Sequence, residues 1–216
     1  MNKLHALVLG ATGATGKELV KLLLKHSNFS TVTVFVRKNI SINHEKLIVH
    51  KIDFSKLNEY KDKVFGDVLF SALGTTKNVA GSKSQQYLVD YTYQFEFAKI
   101  ALENGVHSYS LVSSFGANKN SFFFYPRIKG DLEESVKSLN FKKIQIFQPP
   151  VLIRQPNLRR LNEKIAIKLL IELNKIGILK YLKPLSVVDL ARSMLVEALS
   201  IQHDRISIYK PKDLYN

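Results

Sequence analysis

The sequence predicts an α/β protein built on a doubly wound parallel sheet, and three observations predict it. Apolar, strand-like runs alternate with helical patterns from the amino terminus onward. The first run, Leu4 to Leu9, is apolar at nearly every position rather than at every second one, as a strand buried on both faces must be. A glycine-rich turn separates that run from the first helical pattern. Strand–helix alternation of this kind closes into parallel units with helices on both faces. The 216 residues suffice to bury one such core, and no linker divides them. The expected organisation is one domain over 1–216, with a core at 1–153 and a small, mostly helical C-terminal region at 154–216.

Taken in order, Lys17 to Lys25 reads as an amphipathic helix with Leu19, Val20, Leu22 and Leu23 inward. Thr31 to Val36 and Leu47 to Ile52 are strand runs, and Val68 to Ala72 follows a Gly66-Asp67 turn as a fourth. Gln85 to Asn104 predicts a long helix stopped by Gly105, its inward stripe being Leu88, Tyr91, Phe95, Ala98 and Leu102. Tyr109 to Val112 is the fifth strand, Arg127 to Leu139 a helix, and Lys143 to Phe147 a sixth strand closed by Pro149-Pro150. Beyond Pro150 the character changes. Within a basic stretch at 159–183, Leu161 to Leu182 is amphipathic, with Lys164, Lys168, Glu172 and Lys175 along one polar face. It fits a lid over a substrate, a membrane-surface helix or an ordinary surface helix. Ser186-Val187-Val188-Asp189 carries the capping-box pattern and opens a helix to about Leu199. Arg205 to Tyr209 reads as a last, edge strand.

Composition removes several chemistries. The chain has no cysteine, so disulfides, thiolate nucleophiles and cysteine–metal sites are excluded, and a reducing, cytoplasmic setting is expected. The first apolar run is too short for a signal peptide and ends in a turn. No stretch approaches the roughly 18 apolar residues of a membrane span. The six His show no ligand spacing, and no zinc motif, phosphate-loop lysine or nucleophile elbow is present, so no metal is expected. The net charge of +14 would suit nucleic acid or an anionic membrane surface. Lys and Arg are scattered, however, with only short clusters such as Lys142-Lys143 and Arg159-Arg160, and no nucleic-acid-binding motif appears. Solvated faces account for the charge better than either partner.

The turn itself reads Gly10-Ala11-Thr12-Gly13-Ala14-Thr15-Gly16. Strand, three glycines at spacing three, then helix is the setting in which a Rossmann-type fold binds a dinucleotide. The first glycine permits the turn, the second lets amides approach the pyrophosphate, and the third lets the helix lie close. The helix amino terminus adds partial positive charge there. At the end of the second strand an acid would favour NAD, and a cation the 2′-phosphate of NADP. This chain has Arg37-Lys38 and no nearby acid, which favours NADP(H) over NAD.

Hydride transfer to a carbonyl also needs a proton donor at the oxygen. A Tyr hydroxyl becomes useful at neutral pH only when nearby positive charge stabilises its phenolate. Tyr125 and Lys129 sit one helical turn apart and share a face. Ser113-Ser114 ends the preceding strand, where parallel sheets hold their ligands. Ser114 would hold the carbonyl oxygen as charge develops on it. One Tyr-x-x-x-Lys pair would arise by chance in such a chain, so placement carries the argument rather than spacing.

These motifs, met in this order, resemble a short-chain dehydrogenase/reductase of the atypical kind. The similarity is to the Tat-interacting-protein family of NADP(H)-binding, oxidoreductase-like proteins. It is carried by GATGATG at 10–16, VFVRK at 34–38, DFSKLNEY at 53–60, ALGTTKNVAGS at 72–82, the run from LVSSFGANK to LEESV at 111–136, and FQPPVLI at 147–153. It extends to SVVDLARSML at 186–195. The resemblance implies that Gly10, Gly13 and Gly16, with Ala11, Thr12, Ala14 and Thr15 between them, hold the pyrophosphate. It implies that Arg37, with Lys38, meets the 2′-phosphate, that Asp53 and Phe54 meet the adenine, and that Ala72, Leu73 and Gly74 line the adenosine ribose side. Tyr125, Lys129, Ser114 and Ser113 match the catalytic set, Lys129 also touching the cofactor, and Pro149 and Val151 fall beside the nicotinamide. Two positions depart from the wider superfamily: Asp90 stands where many members carry a catalytic Asn, and Pro149-Pro150 where Pro-Gly is usual.

The reading that follows is an NADP(H)-dependent oxidoreductase acting on a small-molecule carbonyl or alcohol. Its rival is a non-enzymatic NADP(H)-binding redox sensor working through a protein partner, a reading that Asp90 favours. Monomer and homodimer both remain open.

Overall fold

The computed structural model describes residues 3–38, 40–155, 182–201 and 204–215. Its first four strands are β1 (Leu4–Leu9), β2 (Phe29–Val36), β3 (Leu47–Lys51) and β4 (Val68–Ser71). β5 (Ser108–Val112), β6 (Lys143–Phe147) and β9 (Ile206–Tyr209) complete a seven-stranded sheet. Its order is β3-β2-β1-β4-β5-β6-β9 and every pairing is parallel. The chain order reverses between β1 and β4, and the crevice at their carboxyl ends is where such sheets bind ligands.

Six α-helices lie among the described residues: α1 (Ala14–Lys25), α2 (Lys77–Ala80), α3 (Lys83–Tyr87), α4 (Tyr93–Glu103), α5 (Phe124–Lys137) and α6 (Val187–Leu199). One core joins α1 and α6 to one face of the sheet through Leu19, Val20, Leu23, Leu190 and Met194. The other joins α4, α5 and a 3-10 helix (Phe54–Lys63) to the opposite face through Phe97, Ile100, Leu132 and Val136. β1 feeds both, Ala6 and Val8 into one core and Leu7 and Leu9 into the other. Its unbroken apolar run has that cause. β9 is the edge strand expected from the sequence.

The long helix expected over 85–104 differs in two ways. It is broken into α3, a π-helical turn (Leu88–Thr92) and α4. Its most buried side chains near the break are Gln86, Asp90 and Gln94, whereas Leu88, Tyr91, Phe95 and Leu102 of the expected stripe are only half-buried. The polar face is inward because it has partners there. Ser71 Oγ donates to Gln94 Oε1 at 2.7 Å, and Gln94 Nε2 donates to the carbonyls of Val89 and Asp90 at 3.2 and 3.0 Å. A π turn displaces carbonyls from the helical ladder, and Gln94 satisfies two of them.

Smaller differences follow from local capping. At α6 Ser186 Oγ accepts from Val188 N at 3.1 Å, but Asp189 pairs with Arg192 instead of closing the capping box. A two-residue parallel pair, β7 (Leu152–Ile153) with β8 (Leu185–Ser186), joins the chain after β6 to the start of α6. The basic stretch at 159–183, with the amphipathic segment from Leu161, lies up to residue 181 outside the described residues.

Gly130 sets the position of α5. A Cβ there would overlap the backbone of Asn118 and Lys119, and Asn118 N donates to Pro126 O at 3.0 Å. The loop after Ser114 therefore rests directly on the helix that carries Tyr125 and Lys129. In an open helix Ala is better than Gly by about 1 kcal/mol. Here Gly130→Ala is expected to destabilise by about 1–3 kcal/mol, the usual cost of overpacking. Urea denaturation reads the sign, and a variant as stable as the parent would show that the contact is not as described.

Candidate functional site

The glycine turn closes backbone on backbone. Gly10 has φ +79°, and a Cβ on it would overlap Ala72 O at the end of β4. A Cβ on Gly16 would overlap Gly10 O, so α1 starts in direct contact with the turn. Gly13 has φ −77° and ψ 172°, a backbone that any residue adopts. A Cβ there would stand 3.2 Å from Gly10 O, tight but not overlapping. Gly13 is also the N-cap of α1, with no side-chain cap and no acidic residue in the first turn. The start of α1 thus keeps donors and partial positive charge for an anion. That uncapped terminus, in a turn that admits no side chain at Gly10 or Gly16, fits a pyrophosphate.

A cleft of about 130 Å³ brings this turn to the expected reacting residues. Gly13, Ala14 and Thr15 line it with Ala72, Leu73, Gly74, Ser113, Tyr125 and Lys129. Asp90 and Arg154 line it too. A neighbouring chamber of about 340 Å³ shares Ser113, Tyr125, Leu152 and Arg154 with the cleft. Ser114, Phe115, Pro149, Pro150, Val151 and Leu182 complete its wall. Val151 gives its carbonyl to Leu185 N at 3.0 Å, and Pro149 gives its own to Phe115 N at 2.9 Å.

Other expected contacts lie further along. Arg37 and Lys38 follow β2 directly and are exposed. Between the glycine turn and the segment after them lies a pocket of about 510 Å³, lined by Ala11, Thr12, Lys17, Glu18, Lys21, Gln155 and residues 40–42, with Lys21 Nζ donating to Glu18 Oε1 at 3.0 Å. Asp53 caps the 3-10 helix, accepting from Ser55 N at 2.9 Å and Ser55 Oγ at 2.7 Å, and these bonds lower its pKa. Phe54 is buried against Tyr93, ring centroids 5.7 Å apart. Neither Asp53 nor Phe54 is among the residues lining the cleft or the chamber.

Lys129 is buried, and its Nζ donates to Val112 O at 3.0 Å. Burial pushes its pKa below the ordinary lysine value, and the carboxylates of Asp90 and Glu133 oppose that. Asp90 shifts the other way: burial raises its pKa, against the Lys129 charge and the donors Thr75 N (2.9 Å) and Gln86 Nε2 (3.1 Å). Tyr125 is 43% exposed and lines both cavities. The two serines separate. Ser113 Oγ donates to Glu133 Oε1, whereas Ser114 Oγ is buried with no hydrogen-bond partner among the described residues.

Glu133 and Gln148 escaped the sequence reading. Gln148 Nε2 donates to both Glu133 oxygens at 3.0 Å. Two signals could have found them: Glu133 lies one turn beyond Lys129, on the face of Tyr125, and Gln148 is a polar residue between Phe147 and Pro149 at a strand end.

A family model of NAD(P)H-binding proteins matches residues 10–140. Protein HTATIP2 of Rattus norvegicus is 36% identical over 172 residues, covering 78% of this chain and 71% of that one. The chain belongs to the HTATIP2 family of NAD(P)H-binding proteins. A fungal relative, protein FMP52, mitochondrial, of Candida glabrata, is 38% identical over 71% of this chain and 66% of its own. The fold is that of a short chain dehydrogenase family protein from Francisella tularensis, with a TM-score of 0.65, 19% identity and 98% of each chain covered. The match to the NAD(P)H-binding family model makes the cofactor a nicotinamide dinucleotide.

The expected cytoplasmic setting is overturned by the fungal relatives, several of which are named mitochondrial. The absence of cysteine misled because it removes thiol chemistry without reporting a compartment. Among the described residues no helix is long and apolar enough to cross a membrane.

Gly13→Val tests the anion cradle. The branched side chain would occupy the space in front of the α1 amides. Calorimetric titration is expected to show no dinucleotide binding while circular dichroism keeps the α/β signature. Parent-like NADPH affinity in the variant would move the cofactor elsewhere.

Proposed function

We propose that the protein is an NADP(H)-dependent oxidoreductase that interconverts a small carbonyl compound and its alcohol. The observation that carries this reading is Ser114 Oγ, a buried hydroxyl without a partner among the described residues, in a chamber that Tyr125 also lines. Most buried polar groups are hydrogen-bonded, and this orphan hydroxyl, unlike those of Tyr109 and Ser110, opens on a chamber beside a phenol, which suits a ligand oxygen.

The bound nicotinamide would give or take the hydride. Ser114 donates a hydrogen bond to the carbonyl oxygen and stabilises the charge that develops there. Tyr125 gives its hydroxyl proton to the same oxygen. The Lys129 ammonium stabilises the phenolate left on Tyr125, and its bond to Val112 O holds it in place. Pro149, Pro150, Val151 and Leu152 keep the chamber largely apolar, which strengthens each of these interactions.

NADP(H) rather than NAD(H) is the proposed partner because Arg37 and Lys38 follow β2, and Lys17 and Lys21 line the pocket beyond the turn. A guanidinium on the 2′-phosphate is worth roughly 1.5–3 kcal/mol, about ten- to a hundredfold in affinity. Arg37→Ala is expected to weaken NADPH by that factor and NADH little. Equal losses for both cofactors would refute the assignment.

A second reading, a redox sensor acting through a protein partner, draws on Asp90. Both its oxygens accept hydrogen bonds, and a carboxylate lacks the amide donor of the usual Asn. A panel of aldehydes, ketones and quinones, followed by NADPH absorbance, separates the two. Tyr125→Phe is expected to keep NADPH affinity and lose about a hundredfold or more in turnover, whereas Lys129→Met loses both. Undiminished turnover in Tyr125→Phe would make the tyrosine structural, and tight NADPH binding with no substrate in the panel would favour the sensor.

A further inference from the structure

The carboxylate of Glu133 has no part in the hydride transfer proposed above, yet it is 4% exposed and lies at the centre of the site's supporting bonds. It accepts from Ser113 Oγ and, through both oxygens, from Gln148 Nε2. Those two donors follow the ends of β5 and β6, while Glu133 itself rides on α5. Tyr125, Lys129 and Glu133 recur every four residues and so share one face of α5. The other charged group facing Lys129 is Asp90, from the π turn; Tyr125 and Arg154 line the same cleft.

We propose that Glu133 is the positioning residue of this site: it clamps the Ser113-Ser114 segment to α5 and keeps Lys129 an ammonium in a buried position. The assignment rests on reading Tyr125 and Lys129 as the reacting pair. A buried ammonium is tolerated only beside compensating charge. Asp90 alone would supply that charge from across the cleft, on an element held by different bonds. Glu133 supplies it from the same helix as Tyr125 and Lys129, so all three move together. Because Ser114 follows Ser113 directly, the clamp also sets where the unpartnered Ser114 hydroxyl sits in the chamber.

Glu133→Gln removes the charge and keeps one acceptor oxygen for Ser113 Oγ, but its amide nitrogen cannot accept from Gln148 Nε2. Gln148→Leu, which removes the same Gln148 contacts and keeps the Glu133 charge, is therefore the control that isolates the charge. The whole chain, labelled with 13Cε-lysine, is titrated by NMR, the Lys129 resonance being identified by its loss in Lys129→Met. Glu133→Gln is expected to lower the Lys129 pKa so that its proton affinity falls at least tenfold. A second measurement holds even where that variant folds poorly. In Lys129→Met the buried Glu133 charge loses the Lys129 ammonium, so adding Glu133→Gln is expected to raise the folding equilibrium constant at pH 8 by tenfold or more. An unmoved Lys129 titration in folded Glu133→Gln, or no gain in the double variant, overturns the proposal. Neither readout uses a substrate or turnover, so an inactive protein in the carbonyl panel would count against the oxidoreductase reading and leave this one standing.

Discussion

A buried lysine organises one half of the candidate site. Lys129 is 3% exposed, and a charge so placed is stable only when paired and hydrogen-bonded. Its Nζ donates to the carbonyl of Val112 at the end of β5, and the charges of Asp90 on the π turn and Glu133 on its own helix act on it. Each carboxylate is itself held. Ser113 and Gln148 fix Glu133, Thr75 N and Gln86 fix Asp90, and Ser71 fixes the Gln94 amide that stabilises the π turn. The π turn and the helix face of Gln and Asp thus hold Asp90 where its charge acts on Lys129.

The cofactor half obeys simpler constraints, and those were legible. Leu4 to Leu9 is apolar throughout because both faces of β1 are covered, and that can be read residue by residue. Gly10 and Gly16 are glycines because backbone occupies the space of their side chains; spacing three in a strand–turn–helix context announces that packing. Tyr125, Lys129 and Ser114 were legible through the same logic of strand ends, and the cleft and chamber do gather them.

Asp90, Gln94 and Glu133 were not legible, because hydrophobic periodicity assumes that the inward face is apolar. At 85–104 that assumption selected Leu88, Tyr91 and Phe95, the half-buried side of the helix. Where a site needs buried polar ligands, the period survives but its phase is wrong. Gln86, Asp90 and Gln94 recur every four residues as faithfully as a leucine stripe. Glu133 hides for a related reason: in Leu132-Glu133-Glu134 nothing distinguishes the buried carboxylate from the exposed one except its spacing from Lys129.

The adjacent serines show how closely strand geometry and chemistry are joined here. Ser113 N still donates to Phe147 O at 2.7 Å, so the ladder between β5 and β6 runs one residue past the strand. Successive side chains on an extended backbone point to opposite sides. One hydroxyl therefore turns to Glu133, and the next cannot follow it and enters the chamber. A single serine could anchor the segment or offer its hydroxyl to a ligand, but not both. The pair lets the site be rigid and still leave one polar group unspent, and that division follows from the period of two rather than from any special property of serine.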